Sequence, residues 1–308
     1  MTTYSAVVTT GIYCRPGCGA KPLTHNTRTF EHAAAAEAAG FRACLRCRPY
    51  RVAGPVGSDA PDLVCHAVQL IIGGTLDRGT EATLAEQVGV SQRHLRRLFL
   101  NHLGASPDQL ARSRRAHFAR RLLDDTDLTV LDIAFASGFG SLRQFNRTML
   151  EVFHASPTDL RERRRRADRL VTDGGLALRL PTPPGYDWDT ARVFLAAQAI
   201  PGYEEVDGTT YRRTIVVGDA PGVLELSPGG SDHLLLVAHL PYWEGLIHLV
   251  GRAALMLGLE GPRADWSPLE TRIRAEYAGR LGKAAEATGT LVPGLPGGLT
   301  HVLPAAAS

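Results

Sequence analysis

The chain has 308 residues, of which 44% are apolar, and a formal net charge of +3. That length accommodates two or three folded domains; no apolar run approaches the ~18 residues a membrane span needs, and the opening MTTYSAVVTTGIYC lacks the basic start and long apolar core of a secretory signal, which predicts a cytoplasmic location. The small net charge hides a gradient, with 7 Lys+Arg against 2 Asp+Glu over residues 1–55, 17 against 14 over 56–170, and 10 against 15 from Val171 onward; a basic front predicts a polyanionic partner such as nucleic acid, and the acidic back reads as a solvated surface.

The first segment, residues 1–55, contains four of the five cysteines in two close pairs. Cys14 and Cys18 form C-x3-C, and after 25 residues Cys44 and Cys47 form C-x2-C. Paired cysteines in a reducing compartment serve metal binding or chemistry more often than disulfides. Two short chelate loops let four sulfurs converge on one tetrahedral ion, and zinc favours thiolates. A basic segment this short has little core of its own, so metal binding would supply much of its folding free energy. His25 and His32 lie between the pairs as alternative ligands, and Cys65 stands alone on a helical stretch as a core residue.

The stretches TTGIYCRPGC and AAGFRACLRCRP resemble the N-terminal domain of Ada-type adaptive-response proteins. The resemblance implies that Cys14, the first cysteine of CRPGC, takes a methyl group from methyl phosphotriesters in DNA. It implies backbone-phosphate contacts for Arg42 and for Lys21, which stands where the family often has Arg; a Lys is a point charge rather than a bidentate fork. The chemistry is consistent with the residues: a zinc-bound thiolate stays deprotonated and nucleophilic near neutral pH. Methylation would leave a thioether and weaken the site's repulsion of DNA phosphates, in a single-turnover reaction. The family carries a further helix before the TTGI stretch, and this chain starts almost at the motif.

VAGPVGSDAP, residues 52–61, reads as a linker. Residues 62–168 follow with helical periodicity; Pro107 and Pro157 each come after a Ser, a pairing that starts helices. TLAEQVGVSQRHLRRLF, residues 83–99, has small Ala85 where two helices cross, Gly89 for the turn, Ser91 as a cap and an apolar face of Leu84, Val88, Val90, Leu95 and Leu98. LDIAFASGFGSLRQFNRTM, residues 131–149, repeats this with Ala134, Gly138 and Ser141, and with Ile133, Phe139, Phe145 and Met149 facing inward; a helix over 110–124 joins the copies. The pair, with ASPTDLR after it, resembles the DNA-binding domain of AraC/XylS regulators. It implies double-stranded DNA and RNA polymerase as partners, with each second helix entering a major groove. Candidate base-reading residues are Gln92, Arg93 and Arg96 in the first copy and Ser141, Arg143, Gln144 and Arg147 in the second. The run RERRRRA, residues 161–167, suits either phosphate contact or a helix C-terminus.

From residue 176 the runs LALRLP, YRRTIVVG, GVLELSP and HLLLVAHL predict strands, with helices over 187–199 and 242–257. PPGYDWDTARVFLAAQAIPGYEEVDGTTYRRTIVV resembles the start of AlkA-type alkylbase glycosylases, which implies an α+β domain of the TATA-binding-protein type over 176–295, followed by a flexible tail, 296–308. In that family the catalytic aspartate lies in a later helix-hairpin-helix domain, for which the remaining residues give no room. Asp187 and Asp189 fit helix capping better than catalysis, and Trp188 and Tyr186 fit packing. The expected fold class is multidomain α+β: a zinc-bound domain, an all-α double helix-turn-helix domain and an antiparallel-sheet domain. The functional expectation is a regulator of the alkylation response that accepts methyl groups on Cys14. The alternatives are a glycosylase-family protein without its catalytic domain and a zinc-stabilised regulator without methyl transfer.

Overall fold

The computed structural model describes residues 3–20, 23–51, 60–200, 202–217 and 220–259, and the backbone of 292–295 and 299–301. No helix among them is long and apolar enough to cross a membrane. The described residues form two compact units. The first takes the chain up to Arg169 and a second segment from Trp243; the second takes Leu170–Tyr242 and the C-terminal strands.

The first unit opens with a small sheet. Strands β1 (Tyr4–Val7), β2 (Ile12–Cys14) and β3 (Thr27–Phe30) precede helix α1 (Ala33–Ala38) and strand β4 (Arg42–Ala43), in the spatial order β3-β1-β2-β4. β1 pairs antiparallel with β2 and β3, whereas β4 runs parallel to β2. Strands of two to four residues show no readable alternation, so sequence periodicity does not reveal this sheet. The helix AAAAEA needs only the propensity of alanine, and buries Ala34, Ala35 and Ala36. A 3-10 turn, Pro49–Arg51, ends the module.

The helical part runs α2 (Asp62–Ile72), α3 (Thr75–Arg78), α4 (Glu81–Gln87), α5 (Gln92–Leu103), α6 (Pro107–Asp125), α7 (Val130–Ala136), α8 (Leu142–Phe153) and α9 (Pro157–Glu162). Both Ser-Pro starts are capping boxes: Ser106 with Gln109 on α6, and Ser156 with Asp159 on α9. Ser91 and Ser141 cap α5 and α8 through the amides of His94 and Gln144. The two helix-turn-helix copies are α4–α5 and α7–α8. Leu84, Ala85 and Leu95 are buried in the first, and Ile133, Ala134, Phe139, Phe145 and Met149 in the second; α6 packs against α7, α8 and α9.

The two turn glycines differ in surroundings. Both have a left-handed backbone, Gly89 at φ +73° and Gly138 at φ +77°, but a Cβ on Gly89 meets nothing within 4 Å whereas one on Gly138 lies 2.8 Å from Asp77 Oδ2. Asp77 is itself held by Arg115 and His248. Gly138→Ala is therefore expected to cost about 1–3 kcal/mol, combining backbone strain with the clash, and Gly89→Ala only the strain, about 1 kcal/mol. Urea unfolding of the two variants checks this, and equal losses would refute it.

The second unit is built on β5 (Leu176–Pro181), α10 (Trp188–Gln198), β6 (Glu204–Asp207), β7 (Thr210–Val217), β8 (Ala220–Pro228) and β9 (His233–His239). Their pairings are all antiparallel, as the alternating runs predict. Tyr211, Arg213 and Ile215 of β7 face inward. Arg213 forms an ion pair with Glu204 at 3.6 Å, and burial lowers its pKa to about 10. Asp187 caps α10 by accepting from the amides of Asp189 and Thr190, and Trp188 is buried with Nε1 donating to Thr209 O at 2.9 Å, which are the capping and packing roles expected.

Helix α11 (Leu246–Met256) groups with the first compact unit and packs against α2. His248 Nδ1 lies 2.9 Å from Ile72 O and Nε2 lies 2.6 Å from Asp77 Oδ2, while Gly245 N donates to Phe135 O at 3.2 Å. An amphipathic pattern shows that a helix has a face to cover, not which neighbour covers it. Strands β10 (Val292–Leu295) and β11 (Leu299–His301) extend the sheet from β7. Residues 299–301 of the expected 296–308 tail are thus a strand, and the rest of that segment lies outside the described residues.

Candidate metal centre and nucleic-acid interface

The parallel pairing of β2 with β4 sets Tyr13 beside Ala43, so the next residues, Cys14 and Cys44, leave their strands side by side. Cys44 N donates to Tyr13 O at 2.9 Å, and Arg48 N donates to Cys44 O at 3.0 Å, which closes the turn carrying Cys47. Cys18 N donates to Arg15 O at 3.4 Å in the other short loop. The result brings all four sulfurs, of Cys14, Cys18, Cys44 and Cys47, within 4.8 Å of one another. Cys14 is buried and the other three are half-buried.

The sulfurs of this set act on one another. A hydrogen bond to Cys47, and then burial, push the Cys14 thiol up. The same hydrogen bond pulls Cys47 down to about 5, against its own burial. Four thiolates cannot crowd this closely without a positive charge among them. A zinc ion with Zn–S bonds of about 2.3 Å sets sulfurs about 3.8 Å apart, inside the 4.8 Å spread of the four observed here. The donor set fits zinc, as the spacing predicts. His25 is exposed and His32 half-buried at the start of α1, and neither joins the cluster. Cys65 is buried on α2, with its thiol donating to Ala60 O at 3.3 Å.

Arg42 is half-buried at the start of β4, two residues before Cys44, with Nη1 donating to Ala43 O at 3.4 Å. Lys21 lies outside the described residues. Arg15 and Arg46 are exposed in the two loops that carry the cysteines, and basic charge beside the cluster is what an anionic backbone would meet.

The metal module is fastened to the helical part by polar contacts that sequence reading does not anticipate. Tyr13 OH donates to Glu37 Oε1 at 2.6 Å, and His117 Nε2 of α6 lies 2.6 Å from the same oxygen. Tyr50 OH and Arg51 Nη2 donate to Asp124 Oδ2 at 2.9 and 3.2 Å, and Arg51 also reaches Asp125 at 2.9 Å. Arg48 pairs with Asp168 at 2.7 Å. These partners stand far apart in sequence, so only an aspartate pair and the RPYR string hint at them.

The candidate DNA-reading residues fall on exposed faces, with different freedom. Gln92 and Arg93 are exposed at the start of α5, and Arg143 is exposed at the start of α8. Arg96 is exposed but tied to buried Glu81 at 3.2 Å, and Glu81 Oε1 also accepts from Asp108 N, joining the first copy to α6. Ser141 acts as the cap of α8. Gln144 turns back to accept from Gly140 N at 3.2 Å, which tightens the turn. Arg147 lies 3.7 Å from Glu151, which also pairs with Arg112 at 3.0 Å. Arg97, not singled out from sequence, is exposed beside Arg93 and meets His94 Nδ1 at 3.0 Å. Of the 161–167 run, Arg161 and Arg164 are used internally, donating to Leu128 O and Thr126 O at 2.7 and 2.8 Å, while Arg163, Arg165 and Arg166 are not buried.

Comparison with known proteins finds three family models along the chain: the metal binding domain of Ada over residues 2–50, a helix-turn-helix domain over 84–163 and the AlkA N-terminal domain over 177–295. A probable bifunctional transcriptional activator/DNA repair enzyme AlkA of Mycobacterium tuberculosis is 40% identical over 259 residues, which is 83% of this chain and 52% of that protein. The bifunctional transcriptional activator/DNA repair enzyme Ada of Escherichia coli is 34% identical over 47% of this chain and 41% of its own. AdaA of Bacillus subtilis, with the same bifunctional description, is 29% identical over 46% of this chain and 66% of its own. The chain spans about half the length of the first of these relatives. From its N-terminus it therefore carries an Ada-type zinc-binding domain, an AraC-type helix-turn-helix domain and an AlkA-type N-terminal domain.

Proposed function

We propose that the chain is a DNA-binding regulator of the response to DNA alkylation, and that Cys14 accepts a methyl group from methylphosphotriesters. The observation that carries this reading is a four-sulfur site set in the same compact unit as two helix-turn-helix copies. Bound zinc keeps the sulfurs as thiolates near neutral pH. Cys14 Sγ attacks the methyl carbon, an S–C bond forms, and the C–O bond breaks with its electron pair left on the phosphate as a diester anion. The thioether is stable, so each molecule reacts once. Loss of one thiolate charge makes the surface around Cys14 less repulsive to phosphates. Gln92, Arg93, Arg96, Arg143 and Arg147 are the residues we assign to the duplex, with Arg42 and Lys21 on the phosphate backbone, and the downstream partner is RNA polymerase in the cytoplasm.

A second reading, a zinc-stabilised regulator without methyl transfer, is favoured by one observation: Cys14 is only 6% exposed, so the sulfur must open to meet a methyl carbon. Mass spectrometry separates the two. Zinc-loaded protein incubated with methyl-phosphotriester DNA is expected to gain one methyl, about 14 Da, on the Cys14 peptide, because the thiolate is the nucleophile. Absence of that gain, with zinc content and DNA binding intact, leaves the second reading. Cys14→Ala should abolish the gain, with zinc content measured alongside.

A further inference from the structure

Behind the sulfur site, three polar side chains from three elements meet. Tyr13 lies within β2 next to Cys14, and strand alternation turns its ring to the other face. Its hydroxyl donates to Glu37 Oε1 on α1 at 2.6 Å, and His117 Nε2 on α6 lies 2.6 Å from that oxygen and 3.1 Å from the hydroxyl. Tyr13 is fully buried. Its main-chain carbonyl accepts from Cys44 N at 2.9 Å, so the same residue is tied to the sulfur loops at one end and to α6 at the other. On its far side the His117 ring lies 6.0 Å from Phe153 and 6.4 Å from Tyr50. Phe153 is the last residue of α8, the second helix of the second helix-turn-helix copy.

We propose that the Tyr13–Glu37–His117 triad couples the sulfur site to α6 and α8, so that a change at Cys14 alters how the second copy is held against DNA. The inference rests on the methyl-acceptor reading for its biological trigger, though not for its geometry. A fastening alone would be served by the apolar contacts already present between α1 and the helical part, where Ala34 joins the core of the first copy and Ala35 fills the space left by Gly104. A largely covered carboxylate oxygen shared by two donors is costly to desolvate and is directional. It responds to displacements that apolar contacts absorb, and a packed ring contact then passes the change to Phe153. Tyr13 and His117 are in this sense positioning residues; neither touches the transferred methyl group.

The test uses the full-length, zinc-loaded chain with two methyl donors. Methyl iodide, with peptide masses confirming addition at Cys14, installs the methyl group without DNA chemistry. Methyl-phosphotriester DNA tests the acceptor reading itself. In the wild type, methylation is expected to shift the imidazole ¹⁵N resonances of His117 and change amide hydrogen exchange near Phe153. In Tyr13→Phe, which removes one oxygen and keeps the ring, both responses should disappear with zinc content unchanged. The gain in DNA affinity on methylation should fall by about 2- to 30-fold, the range seen when residues along a coupled network are altered. His117→Asn, remote from the sulfurs, is followed by amide exchange near Phe153 and by DNA affinity should Tyr13→Phe lose zinc. A response preserved in both variants, or no response at His117 in the methylated wild type, overturns the proposal. If methyl iodide evokes the response and phosphotriester DNA donates nothing, the coupling stands and the acceptor reading falls.

Discussion

Removing zinc with a chelator, or replacing Cys44 with Ser, is expected to unfold the module built from β1–β4 and α1 while leaving α2–α9 largely helical. The module's strands are two to four residues long, and its buried apolar set is mostly small: Ala6, Ala34, Ala35, Ala36 and Ala43 around Tyr4, Tyr13 and Phe41. Such a core supplies little against the conformational entropy of some fifty residues. Zinc binding in small Cys-rich peptides is worth about 10–16 kcal/mol near neutral pH. Part of this remains covered by docking onto α6, so the net loss should be several kcal/mol, large beside the total stability of about 5–15 kcal/mol of a typical domain. The expected signature is a first transition at lower temperature, seen in the near-ultraviolet signal of Tyr4 and Tyr13, with the far-ultraviolet helical signal lost later. A single melting curve unmoved by chelator would show that the sulfurs are a minor part of the fold. Zinc loss should also remove any methyl acceptance by Cys14, because the metal maintains the thiolate.

The sulfur site, the helix-turn-helix copies and the contacts between them differ in how far the sequence reveals them. The sulfur site is legible because chelation needs short loops, and C-x3-C with C-x2-C supplies them. The helix-turn-helix copies are legible because each of their devices is local: a small residue at the crossing, a glycine with φ of +73° or +77°, and a serine that caps the next helix. What stays hidden is long-range. Nothing near Tyr13 in the chain announces His117, which is 104 residues away. The destination of α11 depends on His248 finding Asp77 and Ile72, again far back in the sequence. Side-chain roles are hidden for a related reason. Gln144 looks like a base reader by position, but its amide oxygen accepts from Gly140 N, and Arg96 is shared with Glu81. A polar residue on an exposed helix face shows its type and direction in sequence; its competing partners within the fold do not appear there.

The second large effect is expected at Asp124. This carboxylate is fully buried and meets Tyr50 OH, Arg51 and Arg120, with Arg48 at 3.6 Å. Arg120 is also buried and lies over the Tyr50 ring, 5.3 Å from its centroid. Around this point three guanidinium groups, of Arg48, Arg51 and Arg120, face three carboxylates, of Asp124, Asp125 and Asp168. Removing the Asp124 carboxylate takes the counter-charge from Arg120, which is itself buried. Asp124→Ala should therefore cost about 3–5 kcal/mol, and Asp124→Asn, which keeps the shape but not the charge, should recover little of it. Replacing Asp124 with Leu and Arg120 with Met together should cost less than Asp124→Ala alone, since the loss comes from the orphaned charge. Acid should loosen the same clasp. Burial would raise the Asp168 carboxyl, but the hydrogen bonds from Arg48 and Arg165 N, with the charges of Arg48 and Arg51, outweigh it and hold the carboxyl below the usual aspartate range. A depressed folded pKa means the folded chain binds that proton more weakly than the unfolded one. Its contribution is complete above the usual aspartate range and disappears as pH falls through the depressed value. Denaturant unfolding from neutral to acid pH should show this loss in the wild type and a flatter acid limb in Asp168→Asn. An identical acid limb in both would place the acid sensitivity outside the clasp.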